Sequence, residues 1–237
     1  MILRQFIDYP SYTYTYLVAD EASGSACLID PVLENCEAYE KRLSELGLTL
    51  VLAIDTHVHA DHITGLGKLR EMTGCASMAG LEAGVSCATD TFSDGDRLTI
   101  GALSLLCLHT PGHTGESYCF YLENAVQPCF FTGDTLLIRG SGRTDFQNGS
   151  AEALYHSLRR LLQYSDQTIV YPGHDYNGNT SSTIGEERAH NPRIGIEDMD
   201  AFIEHMGNLN LPDPKMMDVA VAANQACGEL QPPVGEH

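Results

Sequence analysis

Hydrophobic and polar positions repeat along this chain with two different periods. In residues 2–7 and 11–19 the period is two: Tyr12, Tyr14 and Tyr16 alternate with Thr13, Thr15 and Leu17, and Tyr9-Pro10-Ser11 supplies turn chemistry between. This predicts two strands, with the tyrosine stripe as a half-buried sheet face rather than a ligand platform. Residues 25–32 predict a third strand. From 34 to 46 the period lengthens, because Cys36, Tyr39, Leu43 and Leu46 recur at helical spacing and Gly47 supplies a terminator. Further strands are predicted at 51–54, 75–79, 99–100, 103–108, 118–122, 128–132 and 168–171, with a short helix at 66–72 ended by Gly74. Residues up to about Asp90 read as loop or helix, and Asp94-Gly95-Asp96 as a turn between extended pieces. Ser150 is positioned to cap a helix whose Leu154, Leu158, Leu161 and Leu162 form one face. One or two helices are expected from about 186, best at 196–206, and a tail from about 228, ending in QPPVGEH, is expected to fray. No repeat, linker or composition break divides residues 1–237, so one domain with a short helical C-terminal extension is expected. Strands interleaved with helices and hairpin-like pairs suggest an α+β fold in which helices cover the outer faces of sheets.

Charge narrows the partners. With 32 Asp and Glu against 13 Lys and Arg, the formal net charge of -19 repels phosphate backbones and anionic membranes. Neither nucleic acid nor membrane is an expected partner. The N-terminus has no long apolar stretch, which argues against a signal peptide or membrane span. The eight cysteines form no CxxC pair and several lie inside apolar runs, so buried free thiols in a reducing compartment, the cytoplasm, are expected. A homodimer is the default assembly.

The chemistry concentrates where apolar runs stop. VLAIDTHVHADH (51–62) ends in His57, His59, Asp61 and His62; SLLCLHTPGHT (104–114) offers His109 and His113; CFFTGDT (129–135) offers Asp134; TIVYPGHDY (168–176) offers His174 and Asp175. Imidazole nitrogen and carboxylate oxygen are ligands for zinc, iron and manganese. One partition makes two adjacent metal sites sharing Asp134, an arrangement for activating water. Another makes His57, His113 and Asp134 a two-histidine-one-carboxylate set with open positions, suited to a single iron(II) that holds substrate and dioxygen. The remaining His59, Asp61, His62 and His174 then form an outer shell. Spacing alone leaves both open.

THVHADH, HTPGHT, FTGDT and YPGHD, in this order, resemble the metallo-β-lactamase superfamily over about residues 11–176. The resemblance implies an αββα sandwich, two mixed sheets flanked by helices with the metal site at one edge. HADHITGLG, FTGDTLLIRGSGRTDFQNGS and YPGHDYNGNTSSTIGEERAHNPR narrow it to the persulfide (sulfur) dioxygenases, extending the resemblance to about Arg193. That family implies oxidation of glutathione persulfide by dioxygen and water to sulfite and glutathione, with one non-haem iron(II) per chain. Carried onto this chain, the implied ligands are His57, His113 and Asp134. Arg139 and Arg143 are implied to pair with glutathione carboxylates, and Tyr176 to contact the tripeptide or its sulfur. Some relatives carry cysteine where this chain has Ser141, so thiol chemistry at that position is absent here. The competing resemblance is to hydroxyacylglutathione hydrolases, thioesterases with two metals. Those carry a longer C-terminal region with basic substrate contacts, whereas here an acidic stretch follows Arg193 and no Lys or Arg occurs until Lys215. No fused sulfurtransferase (rhodanese) domain is expected, which would leave the persulfide to come from a separate protein.

Overall fold

Four layers build the molecule, as the computed structural model shows for residues 1–209, 211 and 216–228. The first sheet runs β1 (Ile2–Asp8), β2 (Thr13–Ala19), β3 (Ser25–Ile29), β4 (Thr49–Ile54), β5 (Ala76–Gly80) and β6 (Asp90–Phe92), each beside the next. Its first three strands are antiparallel and the rest parallel. Parallel neighbours need crossovers, and helices α1 (Cys36–Leu46) and α2 (Leu66–Thr73) supply the first two. The second sheet contains β7 (Arg97–Ile100), β8 (Leu103–His109), β9 (Tyr118–Leu122), β10 (Cys129–Phe131), β11 (Ile169–Tyr171) and β12 (Ser182–Thr183), in the order 12-11-10-9-8-7. Only β10 and β11 pair in parallel there, and α3 (Ala151–Leu161) crosses between them.

Three cores follow from the period-two patterns. Tyr16, Ile54, Leu105, Phe120 and Phe131 fill the space between the sheets. Leu17, Leu28, Tyr39, Leu43 and Leu69 join the first sheet to its helices. Leu108, Phe130, Val170, Leu154, Leu158 and Phe202 join the second sheet to α3 and to α5 (Met199–Gly207). All seven residues of β2 are buried, so Tyr14 and Tyr16 are enclosed more fully than expected, while Tyr12, just before the strand, is exposed. Tyr14 and Tyr16 face the opposite sheet while Leu17 and Ala19 face the helices, because β2 lies inside its sheet. The Tyr16 hydroxyl finds its partner in the Pro172 carbonyl, 2.6 Å away, as a buried phenol requires.

Helix α4 (Ile184–His190) is capped by Thr183, and α5 starts at Met199 rather than 196 because Asp198 caps it, its side chain accepting from the Ala201 amide. Strand β6 is the extended piece expected before the Asp94-Gly95-Asp96 turn, whereas β12, an edge strand of two residues, was not expected because it is too short to show a period. Helix α6 (Met217–Gln225) packs Ala220 and Ala223 against Ile63, while the expected fraying tail lies outside the described residues. No helix among the described residues is long and apolar enough to cross a membrane.

One cysteine expectation is corrected. Cys87 and Cys227, 140 residues apart, form a disulfide with their Cα atoms 6.0 Å from each other. Only the fold reveals it, since α6 has to return to the loop before β6. The other six cysteines are free and buried, and burial pushes the thiols of Cys36, Cys107 and Cys129 up to about 12.

Candidate metal centre

The loops after β4, β8, β10 and β11 meet at one edge of the sandwich. The first is shaped by Asp30, whose carboxylate accepts from the Thr56 amide at 2.6 Å and the Thr56 hydroxyl at 3.0 Å. With its proton on Asp30, the Thr56 hydroxyl accepts from His57 Nδ1 at 2.9 Å. This leaves the lone pair of His57 on Nε2. His113 is fixed in the same sense: its Nδ1 donates to the Arg143 carbonyl at 2.8 Å, so its Nε2 is also free to bind. That Nε2 lies 3.6 Å from Asp134 Oδ2. One atom from each of His57, His113 and Asp134 falls within 4.8 Å of the others. Glycines let the loops approach this closely: a Cβ on Gly133 would sit 2.5 Å from Thr56 Oγ1, and one on Gly173 2.8 Å from Asp134 Oδ1.

Asp61, His62 and His174 are arranged differently. Asp61 Oδ2 lies 3.1 Å from His62 Nδ1 and 3.0 Å from His174 Nε2. Among them stands the buried hydroxyl of Thr13, at 2.9 Å from Asp61, 3.2 Å from His62 and 3.1 Å from His174. His174 Nδ1 meets Asp134 Oδ1 at 2.7 Å, so both of its ring nitrogens face carboxylates. His59 Nε2 is directed at Asp30, 3.2 Å away. His109 is not part of the cluster; its Nε2 donates to the Gly115 carbonyl. Asp175 instead accepts from the backbone amides of Asn177 and Asn179, both at 2.8 Å, which closes a turn.

The electrostatics suit a cation. Burial, with His59 and His113 nearby, holds His57 well below the ordinary imidazole range and therefore neutral. Burial opposes the charge on Asp134, but His174, His113 and His57 outweigh it and keep the carboxylate ionised. Neutral imidazole and ionised carboxylate are the forms that bind metal. Two buried ring nitrogens, His59 Nδ1 and His62 Nε2, have no hydrogen-bond partner, which in a cluster of this composition also points to an ion site. The donor set and its orphaned atoms fit a divalent metal.

A cavity of about 520 Å³ opens beside His113 and Asp134, walled by Leu137, Ile138 and Leu211. Of the implied substrate contacts, Arg143 and Tyr176 line it and Arg139 does not. Arg139 is paired with acidic residues instead: its backbone amide and guanidinium both bind the fully buried Glu187, and its other nitrogen reaches Glu186 at 3.2 Å. Arg143 is clamped by Asp145 at 2.6 and 2.7 Å and lies over Phe146. Tyr176 is two-thirds exposed at the mouth, stacked on His174. Arg193, missed as a candidate, lines the cavity too; it donates to the Ser141 hydroxyl at 2.7 Å and the Gly142 carbonyl at 3.2 Å, with no carboxylate paired to it among the described residues. It closes the stretch YPGHDYNGNTSSTIGEERAHNPR, so the signal was in view.

Comparison with known proteins agrees with this geometry. The metallo-beta-lactamase superfamily model matches residues 8–174. The mouse protein named persulfide dioxygenase ETHE1, mitochondrial, is 46% identical over 98% of this chain and 91% of its own length. The chain belongs to the persulfide dioxygenase family of the metallo-β-lactamase superfamily. The human persulfide dioxygenase ETHE1 is 45% identical over the same shares. The crystal structure of ETHE1 from Myxococcus xanthus superposes with a TM-score of 0.93 at 51% identity, covering 97% of this chain and all of that one. The fold of this persulfide dioxygenase family member is thus the expected αββα sandwich with a metal-binding edge. Both mammalian names place their proteins in mitochondria, so the family lends no support to the expected cytoplasmic location.

Proposed function

We propose that this family member oxidises glutathione persulfide with dioxygen and water to sulfite and glutathione at one iron(II) held by His57, His113 and Asp134. The sulfane sulfur gives four electrons to dioxygen, takes both of its oxygen atoms and a third from water, and leaves glutathione as the thiol. Iron(II), once bound, supplies open coordination positions that bring persulfide sulfur and dioxygen together. The protein's part is placement. Thr56 and the Arg143 carbonyl fix the two imidazoles in their binding tautomers. Arg193 and Arg143 are the cations at the cavity for the tripeptide carboxylates, which planar guanidinium groups recognise well. Leu137, Ile138 and Leu211 give the cavity its apolar wall, and Tyr176 stands where it can close over bound substrate.

The observation that carries the one-iron reading is Thr13, whose hydroxyl sits among Asp61, His62 and His174 where a second ion would otherwise be held. The outer shell of His59, Asp61, His62 and His174 then orients the centre through Asp30 and Asp134. The test is anaerobic loading with iron(II), followed by oxygen uptake and sulfite release measured in one vessel on glutathione persulfide. One iron per chain and sulfite matching oxygen consumed are expected. Two metals per chain with hydrolysis of a glutathione thioester would transfer the site to the dinuclear hydrolase reading, for which the unpartnered His59 Nδ1 and His62 Nε2 are the structural ground.

A further inference from the structure

We propose that the Cys87–Cys227 disulfide is a thiol-exchange site that latches the metal loop, residues 57–67, to the body of the protein. The loop depends on the C-terminal segment for its shape. Asn224, buried at the end of α6, donates to the carbonyls of His59 at 2.9 Å and His62 at 2.8 Å, while its own side-chain oxygen accepts from the Thr64 amide at 2.8 Å. Three backbone groups of the loop that carries His57, His59, Asp61 and His62 are thus satisfied by one side chain. Three residues further on, the Cys227 carbonyl accepts from the Gly67 amide at 3.0 Å. The two backbones touch so closely that a Cβ on Gly67 would lie 2.7 Å from the Cys227 carbonyl oxygen, and one on Gly228 would lie 2.1 Å from that of Thr64.

Apart from the disulfide, hydrogen bonds and small apolar side chains hold this segment down. Among the described residues its apolar contacts are small side chains: Ala220 and Ala223 meet Ile63, with Leu33 alongside, and Val221 and Cys227 join the core that also holds Val58 and Leu66 of the loop. Cys227 itself adopts a left-handed backbone, φ +56°, a conformation an L-residue keeps only where its surroundings impose it. The covalent bond to Cys87 is the strongest constraint on Asn224 within reach. Its two ends differ in access: Cys227 is buried, whereas Cys87 is partly exposed in the loop before β6, where the Arg70 guanidinium grips its carbonyl at 2.5 Å. A thiolate from solvent therefore meets the bond at Cys87.

The exchange balances without a further oxidant. A low-molecular-weight thiolate attacks the Cys87 sulfur, the S–S bond breaks, and Cys227 leaves as a thiolate that takes a proton. A second thiolate resolves the mixed disulfide, so the protein gains two electrons and two protons while two small thiols become one disulfide. Thiol is also the class of product that the proposed reaction releases, so the latch sits within reach of its own enzyme's output. Opened, the C-terminal segment keeps Asn224 in place only through non-covalent contacts, and the brace on the metal loop loosens.

The test uses the full chain and reduced glutathione as the probe. Alkylation in denaturant counts the thiols, six before treatment and eight after if the bond is present and exchangeable. Amide hydrogen exchange over residues 57–67 is then compared between the two forms, a readout that needs no metal. Release of bound iron(II) to a chelator is measured in parallel and rests on the metal-centre reading. Reduction is expected to raise exchange across 57–67 and speed metal release about tenfold, the usual size of an outer-shell loss. Cys87→Ser should show the fast behaviour with or without glutathione, and Asn224→Ala should show it with the disulfide intact. Unchanged loop exchange after full reduction, or a Cys87→Ser loop as protected as the oxidised wild type, overturns the latch. Raised exchange with no metal bound at all would keep the latch and remove the metal reading instead.

Discussion

Two sets of ligand-type residues stand side by side at this edge, and they differ in what satisfies their second atoms. In His57, His113 and Asp134, the outer ring nitrogens are engaged by a hydroxyl and a backbone carbonyl, so the inner nitrogens converge unclaimed. In Asp61, His62 and His174, the side chains engage each other and Thr13. The residue types are the same in both. The second set is not wholly closed, since His62 Nε2 has no partner. What distinguishes the two is where neutral oxygens stand, Thr56 behind His57 and Thr13 amid Asp61, His62 and His174.

The contrast can be broken at its strongest point first. Asp134→Ala removes the only carboxylate of the first set and should leave the purified protein with essentially no iron and no turnover, read by metal analysis and oxygen uptake. Thr13→Ala should open the second set, raising bound metal from one ion towards two per chain under excess metal; a wild type with one ion and a variant with one ion would dismiss Thr13 as the determinant.

Third comes pH. In the metal-free protein, burial opposes the charge of Asp61, but His62 and His174 hold its carboxylate well below the ordinary range. Burial likewise opposes charge on His174, yet Asp134 and Asp61 raise it well above the ordinary imidazole value. A depressed carboxylate stabilises above its unfolded value and loses that stabilisation as pH falls through its folded value. A raised histidine stabilises fully below its unfolded value and loses the benefit as pH rises towards its folded one. Asp61→Asn should therefore cost most, on the order of 2 kcal/mol in chemical denaturation, between about pH 4 and pH 6.5, and less on either side. The smallest effect is expected from Thr56→Val, which frees His57 to take the other tautomer and should weaken metal affinity about tenfold without removing the site.

The edge that carries the metal was legible because apolar runs ending in Gly, Pro or Thr and then a ligand are visible one strand at a time. His57, His113 and Asp134 each lie in such a run, and the fold brings them together as the resemblance implied. What could not be read is what depends on distant partners. Arg139 looked like Arg143 in sequence, but its positive φ and the buried Glu187, 48 residues away, turn it from the cavity. Thr13 sat in a tyrosine stripe whose alternation speaks of sheet faces and says nothing of which loop lies above. The disulfide depends on a helix returning across 140 residues, and no local pattern carries that information.

His57 follows a strand of the first sheet, whereas His113 and Asp134 follow strands of the second. An ion held by all three is therefore a rivet between the two halves of the sandwich as well as a reaction centre. Ligand that binds only the folded chain adds stability by mass action, about 2.7 kcal/mol at a hundred times its dissociation constant. The lifetime of this protein should accordingly track the free metal around it, so that starvation for the ion removes the enzyme as well as its activity.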